Sequence, residues 1–543
     1  MSARSPEVAV TVSKQQRSIV NSAAFTMFVP RLGESPVVNL AITPRVINGA
    51  SLSISIYARN ELYRHFVVNL RVAKPETAAP PTPQPAARIK DEVTFRPERH
   101  LGKRPDLPWA NPPGRLNIEL TPMGVTVVGE DRADPDEISM VAFSEPGLPA
   151  GDALTANMHS VRDALNDLRD EFGSSTGYFN NIDPGDLLDR LRTYQPPEDW
   201  ERLSGSADKT HQQAWEEVRS SNALRDLAYW GYALYDTVFP RSTRRRSRID
   251  QLPAGFRIEL TWQSPPSQTI PWGLMYCQPL TDEAAVDPMY FFGLRFRLGF
   301  MIAPRQDGRL DLGGPAETHQ THLLYWGDDD DEIARESAWQ RTSLRGFKAP
   351  PAERIGLHPA TPVGATAIQA IRQQLKTPSP DPVWVIYFYC QTKENSVSQP
   401  VLHFAKSDDP IASSIRLPEL GHGRFGNGPL VFANACTTVA GNPTFASALT
   451  DSFLRRECSA IIGTETLVPI QLGSRLAHVF FEFFYRNLSD DPIPAGEALA
   501  QTKLFLWTEY NNIGGLFYTL INQYDLYLAT SEEISAMSIE QGA

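Results

Sequence analysis

The C-terminal half of the chain alternates two patterns of apolar and polar residues. Near-continuous apolar runs occur at residues 256–262, 323–327, 383–390, 430–436 and 459–465. Such runs are typical of strands that are buried on both faces of a parallel sheet. Between the later runs, residues 364–375, 444–456 and 472–488 have helical periodicity. This alternation predicts an α/β domain over residues 241–543, with a mostly parallel sheet sandwiched by helices.

The N-terminal part is dominated by β-rich runs that are separated by turn residues. These runs occur over residues 24–72 and return over residues 116–143. They predict a small all-β unit over residues 1–148. Residues 73–90 are dense in proline and alanine and can bury little apolar surface, so we expect an extended linker or an insertion within this unit.

Helical periodicity begins at Asp152, where apolar residues recur at spacings of three and four. The pattern predicts three or four helices over residues 149–240. Five arginines follow within residues 241–248. We expect them in a solvated loop, because charged runs usually face the solvent, and the alternative is the docking of an anionic partner.

Composition and charge narrow the function classes. The 543 residues, 41% hydrophobic and 21% charged, are typical of a folded chain with several domains, and the net charge of -12 argues against a general nucleic-acid binder. Four cysteines without a CxxC pair predict neither a disulfide framework nor a metal site, so we expect a cytoplasmic protein. The sequence shows no signal peptide, no membrane-spanning run and no glycine-rich phosphate motif, so we expect no membrane anchor and no cofactor.

Candidate chemistry lies where two of the predicted strands end. In a parallel sheet, functional side chains gather in the loops at the carboxyl ends of the strands. Cys436 follows one such strand and precedes a predicted helix, whose amide-rich start can favour a thiolate. This placement suits a nucleophile. A small buried cysteine that closes the strand is the alternative interpretation.

Five motifs in a fixed order carry a family resemblance. They are IPWGLM (270–275), VIYFYCQT (385–392), VFANACTT (431–438), AIIGTETLVP (460–469) and GEALAQTKL (496–504). Together they resemble the CHAT family of cysteine peptidases, which are relatives of caspases and separase. The resemblance implies a caspase-like fold for the C-terminal half. It also implies a Cys-His dyad in which Cys436 is the nucleophile.

The second half of that dyad departs from the family pattern. Where the family has His-Gly, this chain has Gln391-Thr392. Glutamine cannot act as a general base, and an unassisted thiol with a pKa of about 8.5 is only a few per cent ionised at pH 7. Thr392 also replaces the glycine whose amide would help to bind the oxyanion. His403 is the candidate substitute base, with a histidine in a short hairpin strand as the alternative.

Three acidic residues are candidates for substrate binding. Asp451 and Glu465 follow from the resemblance, because related peptidases often select basic side chains with acidic groups. Asp328 begins an acidic run at the carboxyl end of another strand, where a solvated turn is the alternative.

Two functions remain open at this point. The first is a catalytically degenerate CHAT module that binds a regulatory protein, and the resemblance suggests a bacterial defence or signalling system. The second is a cysteine endopeptidase that uses Cys436 to cleave a dedicated protein substrate. A nucleotide or nucleic-acid sensor in the helical region is a third hypothesis, but the net charge of -12 argues against it.

Overall fold

A computed structural model describes the chain in segments. Side chains or backbone are described for most of residues 7–15, 22–28, 50–58, 61–70, 114–121, 124–134, 137–146, 152–262, 270–302, 320–325, 332–344, 355–358, 383–394, 400–404, 414–416, 429–435, 450–485 and 493–526. The proline-rich segment 73–90 and the predicted helix at 364–375 lie outside the described residues. Most of the predicted helix at 444–456 does so too.

The described strands form three sheets. They are β1 (Glu7–Gln15), β2 (Ser22–Phe28), β3 (Ala50–Ala58), β4 (Glu61–Leu70), β5 (Gly114–Thr121), β6 (Gly124–Asp134), β7 (Glu137–Pro146), β8 (Arg257–Trp262), β9 (Arg297–Ile302), β10 (Gln320–Tyr325), β11 (Ile355–His358), β12 (Val383–Tyr389), β13 (Gln391–Glu394), β14 (Pro400–His403), β15 (Ser414–Arg416), β16 (Leu430–Asn434), β17 (Ala460–Thr464) and β18 (Tyr518–Asn522). The main sheet has eleven strands in the order β11-β10-β12-β16-β17-β18-β9-β8-β5-β6-β7. The two smaller sheets have the orders β2-β1-β3-β4 and β13-β14-β15.

The main sheet is mostly parallel, as the apolar runs predict. Its antiparallel pairs are β17–β18, β5–β6 and β6–β7. All residues of β16 and β17 are buried, which agrees with the interpretation of continuous apolar runs as strands covered on both faces. The predicted fold class, an α/β sheet flanked by helices, is therefore confirmed.

Helices flank this sheet. They are α1 (Asp152–Phe172), α2 (Pro184–Thr193), α3 (Lys209–Arg219), α4 (Asn222–Val238), α5 (Arg244–Asp250), α6 (Phe292–Arg295), α7 (Glu332–Leu344), α8 (Ile470–Phe484) and α9 (Ala495–Tyr510). Among the helices that the structure describes, none combines the length and the apolar character needed to cross a membrane.

Aromatic side chains cover both faces of β12. The Phe481 ring of α8 lies 5.2 Å from the Tyr387 ring. Phe388, the next residue of the strand, points to the opposite face and packs 5.6 Å from Phe453. The aromatic residues of α8 are therefore buried against the sheet.

The structure divides the β-rich N-terminal residues differently from the predicted unit 1–148. Only β1 to β4 form a separate sheet. Strand β5 pairs in parallel with β8, with Leu116 opposite Ile258, so β5 to β7 extend the main sheet. The strand pattern shows which face of a strand is apolar but does not identify its partner.

Residues 244–248 of the basic run lie in helix α5, with Arg245 and Arg246 buried, rather than in the expected solvated loop. Arg246 of α5 is 6% exposed, and its guanidinium lies 3.9 Å above the Tyr235 ring. Its Nε donates to Asp250 Oδ2 at 2.9 Å, and its Nη1 donates to the Phe239 carbonyl at 3.1 Å. A planar guanidinium can be buried in this way because the ring and the carboxylate replace its hydration.

Helix α4 provides a test of local stability. Ser221 is its N-cap, and its hydroxyl accepts the Leu224 N–H at 3.1 Å. We expect Ser221→Ala to lower the free energy of unfolding by about 1 kcal/mol, because that amide loses its acceptor. Urea denaturation checks this value. The adjacent Ser220→Ala is the matched control, since Ser220 lies at the exposed C-cap of α3, and an equal loss there would contradict the capping role.

Candidate functional site

The carboxyl ends of β12, β16 and β17 lie side by side at one edge of the main sheet. Tyr389, the last residue of β12, is opposite Asn434, the last residue of β16. Gln391 and Cys436 therefore each lie two residues beyond a matched pair in neighbouring strands. Three predicted site residues, Cys436, Asp451 and Asp328, lie outside the described residues, and their roles remain predictions.

Asn434 is a buried hub at this edge. Its Nδ2 donates to Tyr387 Oη at 2.9 Å and to the Gly473 carbonyl at 2.7 Å, and its Oδ1 accepts from Tyr518 Oη at 2.7 Å. The Tyr387 hydroxyl donates in turn to Gln340 Oε1 at 2.8 Å. The hydrogen bonds thus tie the end of β16 to β12, β18, α7 and α8.

The residue before Cys436 is held by a further contact. The Ala435 carbonyl accepts a hydrogen bond from Thr464 Oγ1 at 2.7 Å, and the Thr464 side chain is fully buried. The carbonyl of the Ala435–Cys436 peptide is therefore fixed against the end of β17. In the sequence, Asn434 and Thr464 are visible only as parts of motifs. Their hydrogen bonds could not be predicted, because the partner residues come from distant segments of the chain.

The hairpin after β12 brings Gln391 and His403 together. Strands β13 and β14 are antiparallel, and the Cα atoms of these two residues are direct partners. Directly opposite residues of an antiparallel pair point to the same face of the hairpin. His403 is 6% exposed, whereas Gln391 and Thr392 are half-buried. His403 thus lies in a hairpin strand, as the alternative interpretation has it, and opposite Gln391, and its role as a base stays a prediction.

Glu465 is engaged within the protein. Its Oε2 accepts hydrogen bonds from the Nε and Nη2 atoms of Arg162 at 3.3 and 3.1 Å. Its Oε1 accepts from Thr519 Oγ1 at 2.6 Å. Glu465 and Arg162 are 2% and 5% exposed, so this is a buried ion pair between α1 and the end of β17. The carboxylate that was expected to bind a substrate cation is bound to an internal one.

The described cysteines do not offer an alternative thiolate. Cys390 and Cys458 are buried, and burial raises the pKa of the Cys458 thiol far above its usual range. Burial also raises the pKa of Cys277 to about 11. Within the part of the chain that the structure describes, no cluster of histidine, cysteine and carboxylate side chains could hold a metal ion.

Comparisons with known proteins find similarity to a curated protein and to solved structures. No protein-family model matches the chain. A protein of Vitiosangium sp. (strain GDMCC 1.1324), described as a probable protease, is 25% identical over 276 residues, which are 49% of this chain and 33% of that protein. Two crystal structures of the Saccharomyces cerevisiae separase-securin complex, at 10% and 11% identity, have TM-scores of 0.35 and 0.33. They cover 75% and 77% of this chain and 30% of the matched chain. This chain therefore spans about a third of the length of its relatives.

Proposed function

We propose that this chain carries a CHAT-type, caspase-like domain that has lost its general base and serves as a protein-binding or regulatory module. One observation carries the proposal: Gln391 stands two residues after the end of β12, the strand that pairs with β16. An amide side chain accepts no proton near neutral pH, so it cannot generate the thiolate. The proposal includes a cytoplasmic location, supported by the four cysteines without a CxxC pair. It also includes a bacterial defence or signalling role, for which the CHAT resemblance is the support.

The surroundings of the site favour a binding role. The hydrogen bonds of Asn434 and Thr464 keep the sheet edge ordered without any catalytic group. Arg162 neutralises Glu465, so this carboxylate does not offer a free charge to a basic substrate residue. An ordered edge whose acidic group is already paired is suited to recognising a folded regulatory partner by shape, because its backbone needs to move little on binding.

A second candidate function is a cysteine endopeptidase, and the register of the hairpin favours it. His403 lies opposite Gln391 and on the same face. In this mechanism the His403 imidazole takes the Cys436 thiol proton, and the sulfur attacks the scissile carbonyl carbon to form a C–S bond. The amide nitrogen takes that proton as the C–N bond breaks. Water then hydrolyses the thioester. The oxyanion would face the backbone N–H groups of Cys436 and Thr392.

Labelling of Cys436 by a thiol-reactive acyl probe tests the first proposal. We expect slow labelling of the natural chain at pH 7, and an increase of about 100-fold in the rate constant for Gln391→His, because a positioned base contributes about 10²–10⁴-fold. Mass spectrometry measures the labelled fraction of Cys436 over time. Gln391→Asn is the matched control, since it changes the side chain without adding a base.

The same assay separates the two candidates. The proposal of a module without a general base is wrong if the natural chain is labelled as fast as Gln391→His and His403→Gln slows this labelling about 100-fold. This result would support the cysteine endopeptidase. If Cys436 of the natural chain is labelled slowly and His403→Gln does not change this rate, the endopeptidase hypothesis is wrong. Circular dichroism of each variant verifies that the fold is retained.

A further inference from the structure

An aromatic surface lies on the solvent side of helix α4. Among the described residues, the exposed large hydrophobic side chains are Tyr229 and Leu467, and Tyr229 is 56% exposed. The Tyr229 ring lies 5.1 Å from the Trp230 ring at an angle of 81°. Tyr232, one turn further along the same side of the helix, is half-buried. We call Tyr229, Trp230 and Tyr232 the α4 aromatic surface.

Two hydrogen-bond donors on the α4 aromatic surface are available to a ligand. Neither the Tyr229 hydroxyl nor the Trp230 Nε1 makes a hydrogen bond to another described residue. The Tyr232 hydroxyl differs, since it accepts from Arg241 Nη2 at 2.6 Å. Aromatic rings with such donors suit a proline-rich segment, because proline rings pack against them and the carbonyls of a polyproline II helix have no internal donor.

The chain itself contains a segment of this kind. Prolines occupy four of the six positions from Pro80 to Pro85, with the sequence PPTPQP. This segment belongs to the stretch between Leu70, the last residue of β4, and Gly114, the first residue of β5. Because proline restricts φ before any docking takes place, such a segment loses little conformational entropy when it binds.

The chain re-enters the main sheet at Gly114, within reach of α4. Strands β5 and β8 pair in parallel and begin at the same edge. Strand β8 follows α5, whose Asp250 accepts from Tyr235 Oη of α4 at 2.6 Å. Chain geometry therefore limits the distance from Tyr229 to Gly114 to about 50 Å. Gly114 is 29 residues after Pro85, and a chain of that length reaches about 95 Å when extended.

We infer that the α4 aromatic surface binds residues 80–85 of the same chain. The tether gives the segment an effective concentration on the order of 1 mM, so a weak contact is sufficient. No charged residue occurs from Ala78 to Ala87. An uncharged segment suits this surface, because Asp226 and Arg241 beside it have opposite charges. The inference does not rest on the proposed function, because it involves no residue of the candidate site.

Limited trypsin digestion of the full chain tests the inference, because Arg88 lies three residues after Pro85. We expect cleavage after Arg88 to be slow in the natural chain and about tenfold faster in Tyr229→Ala, since proteolysis follows the population of the undocked segment. Mass spectrometry of the fragments gives the first-order rate constant. Leu467→Ala, which truncates the other exposed hydrophobic side chain, is the matched control and should be cleaved at the natural rate.

A second variant identifies the occupant of the surface. Replacement of Pro80, Pro81, Pro83 and Pro85 with serine should accelerate cleavage as Tyr229→Ala does, and the combined variant should be no faster than either alone. The inference is overturned if Tyr229→Ala is cleaved at the natural rate or if the two changes multiply in the combined variant. A rate constant that falls as protein concentration rises would also overturn it, because the surface would then bind a second copy of the chain.

Discussion

Replacing Asn434 with leucine should lower the free energy of unfolding by about 3–5 kcal/mol. The two side chains have the same number of heavy atoms and the same branching, so no cavity is left and the effect comes from the lost hydrogen bonds. The variant removes the amide partner of the Tyr387 and Tyr518 hydroxyls and of the Gly473 carbonyl, all of which are buried. Urea denaturation followed by tryptophan fluorescence measures the loss.

Asn157→Leu is the matched control for this prediction. Asn157 is half-buried and makes its shortest hydrogen bond to Thr237 Oγ1 at 2.9 Å, so its replacement should cost about 1 kcal/mol. Equal losses for the two variants would show that Asn434 is not a hub. A loss confined to Asn434→Leu would support its role in holding the end of β16, two residues before Cys436.

Replacing Arg162 with methionine should destabilise the protein by about 3–5 kcal/mol, because it leaves the buried Glu465 carboxylate without its cation. The double variant Arg162→Met with Glu465→Leu should recover most of this loss, since an apolar pair can replace a buried ion pair at little cost. A double-mutant cycle of urea denaturation curves measures the coupling between the two positions.

The exposed pair of Arg192 and Asp189 gives the comparison for this prediction. Their side chains are 73% and 76% exposed, so Arg192→Met should cost less than about 1 kcal/mol. If Arg162→Met costs no more than Arg192→Met, the contact between α1 and the end of β17 does not stabilise the fold. The larger loss would show that the helical region is energetically part of the site edge.

Sequence patterns predicted those parts of the fold that local residues determine. The runs at 383–390, 430–436 and 459–465 contain β12, β16 and β17, because a strand covered on both faces must be apolar along its length. The pairing of β5 with β8 was not predictable, since the alternation of a strand does not specify its neighbour.

The candidate site was predictable to a similar extent. The rule that parallel strands end at one edge predicts that the strand ends before Gln391 and Cys436 are neighbours, and Tyr389 and Asn434 are indeed partners in the sheet. The partners of Glu465 and Asn434 were not predictable, because Arg162 is 303 residues from Glu465 and Tyr518 is 84 residues from Asn434. Such contacts depend on how distant segments dock, and no local pattern encodes them.

The parallel pairing of β5 with β8 determines how the protein can assemble during synthesis. Strands β5 to β7 leave the ribosome as a meander, and all five helices α1 to α5 follow before β8. At about 5–20 residues per second, the free edge of β5 stays unpaired for on the order of ten seconds. An unpaired edge can join other chains, so translation speed and chaperone access should govern the yield of folded protein. The sheet edge that carries the candidate site is completed only when β18, near the end of the chain, has been made.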